Sequence, residues 1–352
     1  MSALREVPGV VFERPVSAFA PSPAEARGLE RDQVRLLVAG REGVRHGRFA
    51  EIADHLRAGD LVVVNDSATV AGQLDARSDV RGRLVLHLAA PLDDGAWVVE
   101  LRSAPDAAEP VLDGRPGERV LVPGAELRLE AAYPHEGSSP TGSGNRLWRA
   151  SVTGDLDAAV AGHGRAIAYG YLDSRYPLSA YQSVFSRRPG SAEMASAARP
   201  FTQAVVTDLV SRGVAIAPIT LHTGVSSQEA GEGPQPERYE VGEATARLTN
   251  AVRAGGGRVV AVGTTVTRAL ESSVADDGRV IASRGWTERV VTPDHPPRVV
   301  TGLVTGWHDP QASHLLLVEA VAGRALAQTA YDAAVAQGYL WHEFGDSALL
   351  LP

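Results

Sequence analysis

The sequence predicts an α/β fold, with an α/β sheet or partial barrel as the main domain and a small all-β barrel domain inserted into it. Apolar runs alternate with helical patterns towards both ends of the 352-residue chain, whereas a central segment is apolar at every second residue. The chain is also longer than the roughly 250 to 300 residues at which one hydrophobic core stops growing. We therefore expect an α/β domain formed by 1–72 and 155–352, and a β-barrel domain formed by 73–154.

The first α/β segment contains a helix followed by a buried strand. Apolar residues recur at helical spacing over 49–57, and Gly59 provides a stop signal. The next residues, 61–64, are all apolar and lead into Asn65 and Asp66. This pattern predicts a buried strand with polar residues at its carboxyl end.

A hairpin opens the predicted barrel. Alternating residues over 84–88 and 97–101 flank the turn residues 93–95. The Gly/Ser/Pro-rich stretch 137–144 indicates a later turn. Further short strands are expected at 120–122, 127–129 and 147–152. Because this segment lies between two α/β segments, we interpret it as an insertion.

Helices and strands alternate again after residue 155. Thr202 is placed to cap a helix, and a strand follows over 214–221. A second helix ends at the glycines 255–257, before a strand over 258–262. The last predicted elements are strands at 299–304 and 347–351 and an Ala-rich helical region over 315–337 that Gly323 interrupts.

The composition narrows the classes of function. The chain has no Cys, which excludes disulfides and thiolate chemistry, and it has no apolar run of the ~18 residues that a membrane span needs. We therefore expect a cytoplasmic protein that does not bind a membrane. The net charge of -8 argues against broad adhesion to nucleic acid but allows a local basic groove. Candidates for such a groove, or else for solvated surface charges, are Arg81, Arg83, Arg165, Arg175, Arg187, Arg188 and Arg199.

Polar residues follow four predicted strands at their carboxyl ends. They are Asn65-Asp66, 222–224, 263–265 and 307–309. Ligands bind at this edge in open α/β folds, so the recurrence predicts one shared site. His222 and His308 are candidate site residues because of these positions. Asp346 is either a turn residue or a site carboxylate, and we expect structural roles for His163, His295, His314 and His342.

The segment that begins at Gly263 is the most specific of the four. A buried strand enters this glycine, and Thr264 and Thr265 precede a helix whose N-terminal amides suit a carboxylate, a phosphate or a ribose hydroxyl. The alternative is a helix capped by one of these threonines, with Arg268 and Glu271 forming an i,i+3 pair. The Walker, GxGxxG, GxSxG and HExxH patterns are all absent, so we expect no metal site.

Several segments have sequences that match known motifs. Residues 263–272 match a pattern close to GTTSVRTLES, 181–185 match YQTVY, 220–224 match TLHVG and 305–310 match TNFHLP. Through these motifs the chain resembles the SAM:tRNA ribosyltransferase-isomerase family of queuosine synthesis. The resemblance covers nearly the whole chain, and it implies an α/β domain interrupted by a β-barrel domain.

The resemblance also implies a reaction. S-adenosylmethionine (SAM), used as a substrate, would donate its ribosyl group to the amine of 7-aminomethyl-7-deazaguanine in tRNA. Rearrangement would form the epoxycyclopentane of epoxyqueuosine, and adenine and methionine would be released without a metal. Two sets of site residues carry over by motif. The SAM-binding set is Gly263, Thr264, Thr265, Arg268 and Glu271. The proton-transfer candidates are His222 and His308, with Asp66 and Asp346 as orienting carboxylates.

The chain departs from the family pattern in the loops 165–170, 193–202 and 225–237. PLPPYI is lost in the first loop, Pro200 replaces a His in the second, and Glu237 alone survives from Met-His-Ser-Glu in the third. These loops are candidates for holding the acceptor, whereas the SAM motif is kept. Two alternatives to the family reaction therefore stay open: a SAM-dependent enzyme with a non-tRNA acceptor, and a non-catalytic protein that binds SAM or a nucleoside.

Overall fold

The structure is a computed structural model that describes residues 6–15, 18–138, 142–226, 231–310 and 312–352. The predicted turn stretch 137–144 and the divergent loop 225–237 therefore lie partly outside the described residues.

The strands of the described residues are numbered here in chain order. They are β1 (Arg35–Gly40), β2 (Gly43–Arg48), β3 (Leu61–Asn65), β4 (Ser67–Thr69), β5 (Gln73–Ser78), β6 (Gly82–Pro91), β7 (Trp97–Ser103), β8 (Arg119–Val122), β9 (Ala125–Ala132), β10 (Leu147–Gly154), β11 (Arg188–Ser191), β12 (Ala215–Leu221), β13 (Glu237–Val241), β14 (Val259–Val262), β15 (Ser283–Thr287), β16 (Gly302–Thr305) and β17 (Ser347–Leu351).

The helices of the described residues are of two kinds. The α-helices are α1 (Leu156–His163), α2 (Gln203–Ser211), α3 (Glu243–Ala254), α4 (Thr264–Ser272), α5 (Ser313–Ala322) and α6 (Arg324–Ala336). The 3₁₀ helices are Ala24–Arg27, Arg31–Gln33, Phe49–His55, Leu178–Tyr181 and Ser196–Ala198. Thr202 caps α2 by accepting a hydrogen bond from the Val205 amide, and Gly323 separates α5 from α6, as the sequence predicted.

The main sheet is open and mixed. Within the described residues its strand order is β15-β13-β12-β3-β14-β16-β17-β1-β2. The four central strands β12, β3, β14 and β16 are parallel, whereas β17 runs antiparallel to β16. The α/β fold class is therefore confirmed, in its open-sheet form.

Both faces of the central sheet are buried. Leu61 and Val63 of β3 join one hydrophobic cluster with α4, α5 and α6, whereas Val62 and Val64 join a second cluster with α2 and the 3₁₀ helix Phe49–His55. This alternation follows from the two-residue period of a strand, and burial on both faces explains the continuous apolar run.

The inserted segment forms a closed antiparallel barrel with the strand order β10-β7-β6-β5-β8-β9. Its strands span Gln73 to Gly154, where the sequence predicted an all-β unit, and β6 and β7 form the predicted hairpin. Buried Leu74, Leu86 and Leu127 help fill its interior. The barrel is thus confirmed as part of the fold class, while the division of the chain into domains stays a prediction.

A buried carboxylate joins the amino ends of the central strands. Asp60 is fully buried and accepts hydrogen bonds from the Arg258 amide at 3.0 Å, from Arg258 Nε at 2.9 Å and from the Arg57 amide at 3.0 Å. Burial raises the pKa of Asp60, but the hydrogen bonds from Arg258 and Arg57 outweigh burial and hold this pKa below its usual value. Asp60 therefore fixes the start of β3 against the start of β14.

We predict that Asp60→Ala lowers the free energy of unfolding by about 3 kcal/mol, because it leaves Arg258 without its counter-charge. Urea unfolding with a constant m-value measures this loss. Because the pKa of Asp60 is lowered on folding, its contribution is present above the unfolded pKa and is lost as the pH falls through the folded pKa. The control Asp208→Ala removes only an exposed pair with Arg212 and should cost less than about 1 kcal/mol. An equal effect of the two substitutions would contradict the prediction.

Candidate active site

A cavity of 1380 Å³ lies between the carboxyl edge of the central sheet and the barrel. The parallel strands bring their carboxyl ends to one edge, and the residues after β12, β14 and β16 line the cavity there. Arg102 of β7 and Ala108 line it from the barrel segment. A typical small-molecule pocket has a volume of roughly 300 to 1000 Å³, so this cavity has room for more than one small ligand.

The amino end of α4 opens into this cavity. Gly263 is the N-cap residue with φ of 93°, a left-handed conformation that favours glycine, and its amide donates to the Val304 carbonyl at 2.8 Å. No side chain caps the helix, so the alternative in which Thr264 or Thr265 is the cap is wrong. Both threonines instead line the cavity in the first helical turn. The helix start therefore offers hydroxyls, amides without intrahelical acceptors and a partial positive charge.

Arg268 lines the same cavity but forms a different ion pair from the one considered above. Its guanidinium pairs with Glu237 rather than with Glu271, and it also donates to the carbonyls of Gln235, Thr287 and Arg289. These contacts use four of the five N–H groups of the guanidinium. The second N–H of Nη1 has no acceptor among the described residues and is therefore available to a ligand.

Glu271 lies outside the cavity lining. Its carboxylate accepts hydrogen bonds from the amides of Arg298, Val299 and Val300 at 2.8 to 3.0 Å. Residue 271 lies about 10 Å along the helix axis from residue 264, because an α-helix rises 1.5 Å per residue. The contacts of Glu271 therefore fix the approach to β16, and they do not support the predicted role in SAM binding.

Three histidines line the cavity: His308, His314 and His342. The rings of His308 and His314 stack with centroids 4.8 Å apart, and His308 Nε2 lies 3.0 Å from Thr305 Oγ1. Burial, followed by the neighbouring His314 and His342, lowers the pKa of His308 well below its usual value. Burial, followed by Arg268 and His342, lowers the pKa of His314 to about 4. The two stacked imidazoles are therefore neutral at pH 7.

We expected structural roles for His314 and His342, but both side chains lie in the cavity wall. His314 lies in the first turn of α5, and His342 precedes β17. Neither residue directly follows a strand, so the signal that identified His308 was absent for them.

The other predicted proton-transfer residues lie outside the cavity lining. His222 Nδ1 lies 2.7 Å from Ser67 Oγ, and burial lowers the pKa of His222. Asp66 accepts a hydrogen bond from Thr220 Oγ1 at 2.6 Å, whereas Asp346 binds the amides of Arg35 and Leu340. Among the described residues, neither carboxylate is hydrogen-bonded to His222 or His308. These contacts give both carboxylates structural partners, and their catalytic roles stay predictions.

Several polar atoms in the cavity wall lack a protein partner. Gln235 Oε1, Trp307 Nε1, Tyr171 Oη and Glu343 Oε2 are buried, and within the described ranges they make no hydrogen bond. Buried polar atoms normally have partners, so these four atoms indicate that a polar ligand completes the site.

One wall of the cavity is aromatic. The rings of Tyr169 and Tyr171 are stacked with centroids 6.4 Å apart, and Phe19 meets His342 edge-on at 4.2 Å. Aromatic rings of this kind stack on nucleobases.

Most of the arginines proposed for a basic groove are already paired. Each of the following arginines forms an ion pair with a carboxylate of this chain: Arg81, Arg165, Arg188 and Arg199. Arg83 and Arg187 are exposed, whereas Arg175 donates to the Pro105 carbonyl. The charge that these residues offer to nucleic acid is therefore smaller than their number indicates.

The described residues contain neither a metal-ligating cluster nor a membrane-spanning helix. No group of three or more His, Asp and Glu side chains in the described ranges is placed to hold a metal ion. Among the helices that the structure describes, none combines the length and apolar character of a membrane span.

Comparison with known proteins gives a consistent family. A family model described as queuosine biosynthesis protein matches residues 9–350. The S-adenosylmethionine:tRNA ribosyltransferase-isomerase of Thermus thermophilus is 34% identical over 345 residues, which cover 94% of this chain and 96% of that protein. The enzyme of the same name from Acidiphilium cryptum is also 34% identical, over 96% of this chain and 97% of its own length.

A solved structure agrees with these relatives. The crystal structure of S-adenosylmethionine tRNA ribosyltransferase from Thermotoga maritima matches with a TM-score of 0.53 and 26% identity. The match covers 97% of this chain and 99% of that one. The resemblance that the sequence motifs indicated is thereby confirmed.

We predict that His314 stays neutral until the pH falls to about 4, because burial and Arg268 oppose its protonation. Nitrogen-15 NMR of the imidazole rings during a pH titration measures this, with exposed His163 as the internal reference. The unfolded chain protonates His314 near pH 6.5 and the folded chain protonates it only near pH 4, so the contribution of this group to stability should fall as the pH drops from 6.5 to 4. A titration midpoint near 6.5 for His314 would contradict the prediction.

Proposed function

Because the chain belongs to the queuosine biosynthesis protein family, we propose that it transfers the ribosyl group of SAM to the amine of 7-aminomethyl-7-deazaguanine in tRNA and rearranges that group to the epoxycyclopentane of epoxyqueuosine. Adenine and methionine are the released products. The curated relatives are named for this class of transferase and isomerase.

The position of the family motif carries this proposal. Gly263, Thr264, Thr265 and Arg268, from the best-matching segment, line a cavity large enough for SAM and a nucleobase together. The helix start and the remaining N–H of Arg268 suit the carboxylate of SAM. The aromatic wall suits adenine or the acceptor base.

The chemistry requires little of the protein beyond positioning and proton transfer. The positive sulfur of SAM acidifies the adjacent C5′ methylene, and a base removes a proton from it. Among the predicted proton-transfer residues, His308 lies in the cavity, and its imidazole is neutral. Burial makes this imidazole a weak base, so the acidity that the positive sulfur gives the C5′ methylene must drive the proton transfer. We therefore assign proton removal to His308, while the α4 turn holds the substrate in place.

A non-tRNA acceptor is the second candidate. The paired arginines and the net charge of -8 favour it, since they limit the electrostatic attraction of a polynucleotide. On this alternative, the same donor chemistry would act on a small amine.

Incubation with SAM and tRNA, followed by chromatography for adenine, tests the proposal. We expect adenine release with tRNA that carries 7-aminomethyl-7-deazaguanine and none with tRNA that lacks it. Release with the free base alone would support the small acceptor. SAM binding by calorimetry without adenine release under any condition would make the chain a binding protein and overturn the proposed reaction.

We predict that His308→Ala lowers the rate of adenine release by about 100-fold or more, the usual range for losing a positioned base. SAM affinity and the unfolding midpoint should change little. The control is His163→Ala at an exposed position at the end of α1. Wild-type turnover in His308→Ala would remove this residue from the reaction.

A further inference from the structure

Two carboxyl groups in the cavity have no part in the reaction as proposed above. Glu193 and Glu343 both line the cavity, from distant segments of the chain. Burial is the main cause of the raised pKa of Glu343, and the neighbouring Glu193 adds to it. The inference that follows rests on the proposed function and concerns how the acceptor is held.

Glu193 is fixed in place as an acceptor. Its side chain is almost fully buried and accepts hydrogen bonds from Tyr169 Oη, from the Ser226 amide at 3.1 Å and from Ser226 Oγ. Three donors to one carboxyl group are the contacts that an acceptor-only carboxylate makes. Glu193 therefore places a negative charge in the cavity wall.

Glu343 is in the opposite situation. Its Oε2 is buried and lacks a hydrogen bond of normal geometry within the described residues, and the Tyr171 hydroxyl, which also lacks one there, lies close enough to lower the pKa of Glu343. The titratable groups that face Glu343 are Glu193, Tyr171 and Tyr181. Arg199, which lies over the Phe344 ring, is paired with Glu25, and Arg27 donates to the Phe344 carbonyl at 2.8 Å. Burial, followed by repulsion from Glu193, raises the pKa of Glu343 to about 8.

This arrangement is selective for a cation. An anion would add to the repulsion between the two carboxyl groups, whereas a positive group between them would relieve it. Glu343 Oε2 and Tyr171 Oη offer two acceptor atoms to the N–H donors of a primary ammonium group.

We propose that Glu193 and Glu343 bind the primary ammonium group of the acceptor, and that Glu343 takes the proton which the nitrogen must lose before it attacks. When the ammonium binds, Glu343 releases its own proton to solvent. The nitrogen then passes one proton to the Glu343 carboxylate: an N–H bond breaks, an O–H bond forms, and the nitrogen keeps the electron pair as a neutral amine. No oxidation or reduction is involved.

The first test uses binding alone, with the full chain and the free base 7-aminomethyl-7-deazaguanine. Calorimetry at pH 7 in two buffers of different ionisation enthalpy should detect release of close to one proton per base bound. The 7-methyl analogue, which lacks the amine, should bind at least tenfold more weakly and release none. Glu343→Gln should abolish the proton release, and Glu193→Gln should weaken binding of the base at least tenfold. Equal binding of the two bases, or proton release that persists in Glu343→Gln, would overturn the proposal.

The second test follows adenine release against pH. For the wild type, kcat/KM should rise with pH, be half-maximal near pH 8 and level off above it, because Glu343 must lose its proton first. Glu343→Gln should lower kcat about 100-fold and remove this dependence. The control Glu109→Gln, at an exposed site in the barrel segment, should behave as wild type. An unchanged profile in Glu343→Gln would overturn the assignment.

SAM carries an α-ammonium group of its own. A third measurement therefore distinguishes binding of the acceptor's ammonium group from binding of the ammonium group of SAM. If the pocket holds the acceptor, SAM affinity should change less than twofold in Glu343→Gln. A tenfold loss of SAM affinity would show that the pocket binds the ammonium group of SAM, and it would overturn the acceptor assignment. If the wild type releases no adenine but still releases a proton on binding the free amine, the proposed function fails and the ammonium site stands.

Discussion

The structure depends on the parallel alignment of β12, β3, β14 and β16. Because β3, β14 and β16 are buried on both faces, polar side chains are placed at their ends, and parallel alignment with β12 gathers the four carboxyl ends at one edge. The barrel segment leaves the sheet just after β3, at that same edge. The insertion point therefore places the barrel opposite the strand ends, and the cavity forms between them.

The parts of the fold that local pattern specifies were predictable. The two-residue period over 73–154 predicted the barrel, and the continuous apolar run of β3 predicted a central strand. The antiparallel strands β13 and β15 were not predicted, because Glu237–Val241 and Ser283–Thr287 contain few apolar residues. Their assignment as strands depends on pairing with each other and with β12. Such pairing is a tertiary effect that local propensity does not specify.

The candidate site was likewise predictable from the sequence only in part. The strand-end rule located Gly263, Thr264, Thr265 and His308, all of which line the cavity. Spacing along α4 suggested a pair between Arg268 and Glu271, but each finds its partners on another element, at least 19 residues away along the chain. A buried arginine or carboxylate needs several partners at once, and residues one turn away on the same helix do not provide them. For this reason the partners of Arg268 and Glu271 could not be predicted from the local sequence.

Burial in this one cavity acts in opposite directions on its acids and bases. It lowers the pKa of His308 and His314 and raises the pKa of Glu343, so that all three groups are neutral near pH 7. The charges that remain there include compensated pairs such as Arg268 with Glu237 and Arg14 with Asp309. A cationic substrate therefore enters a site where protonation of the histidines is opposed, while ionisation of Glu343 is favoured by the new charge. Among these three groups, a bound cation therefore changes the protonation of Glu343. Recognition of the amine by Glu343 is in this way separate from proton removal by His308.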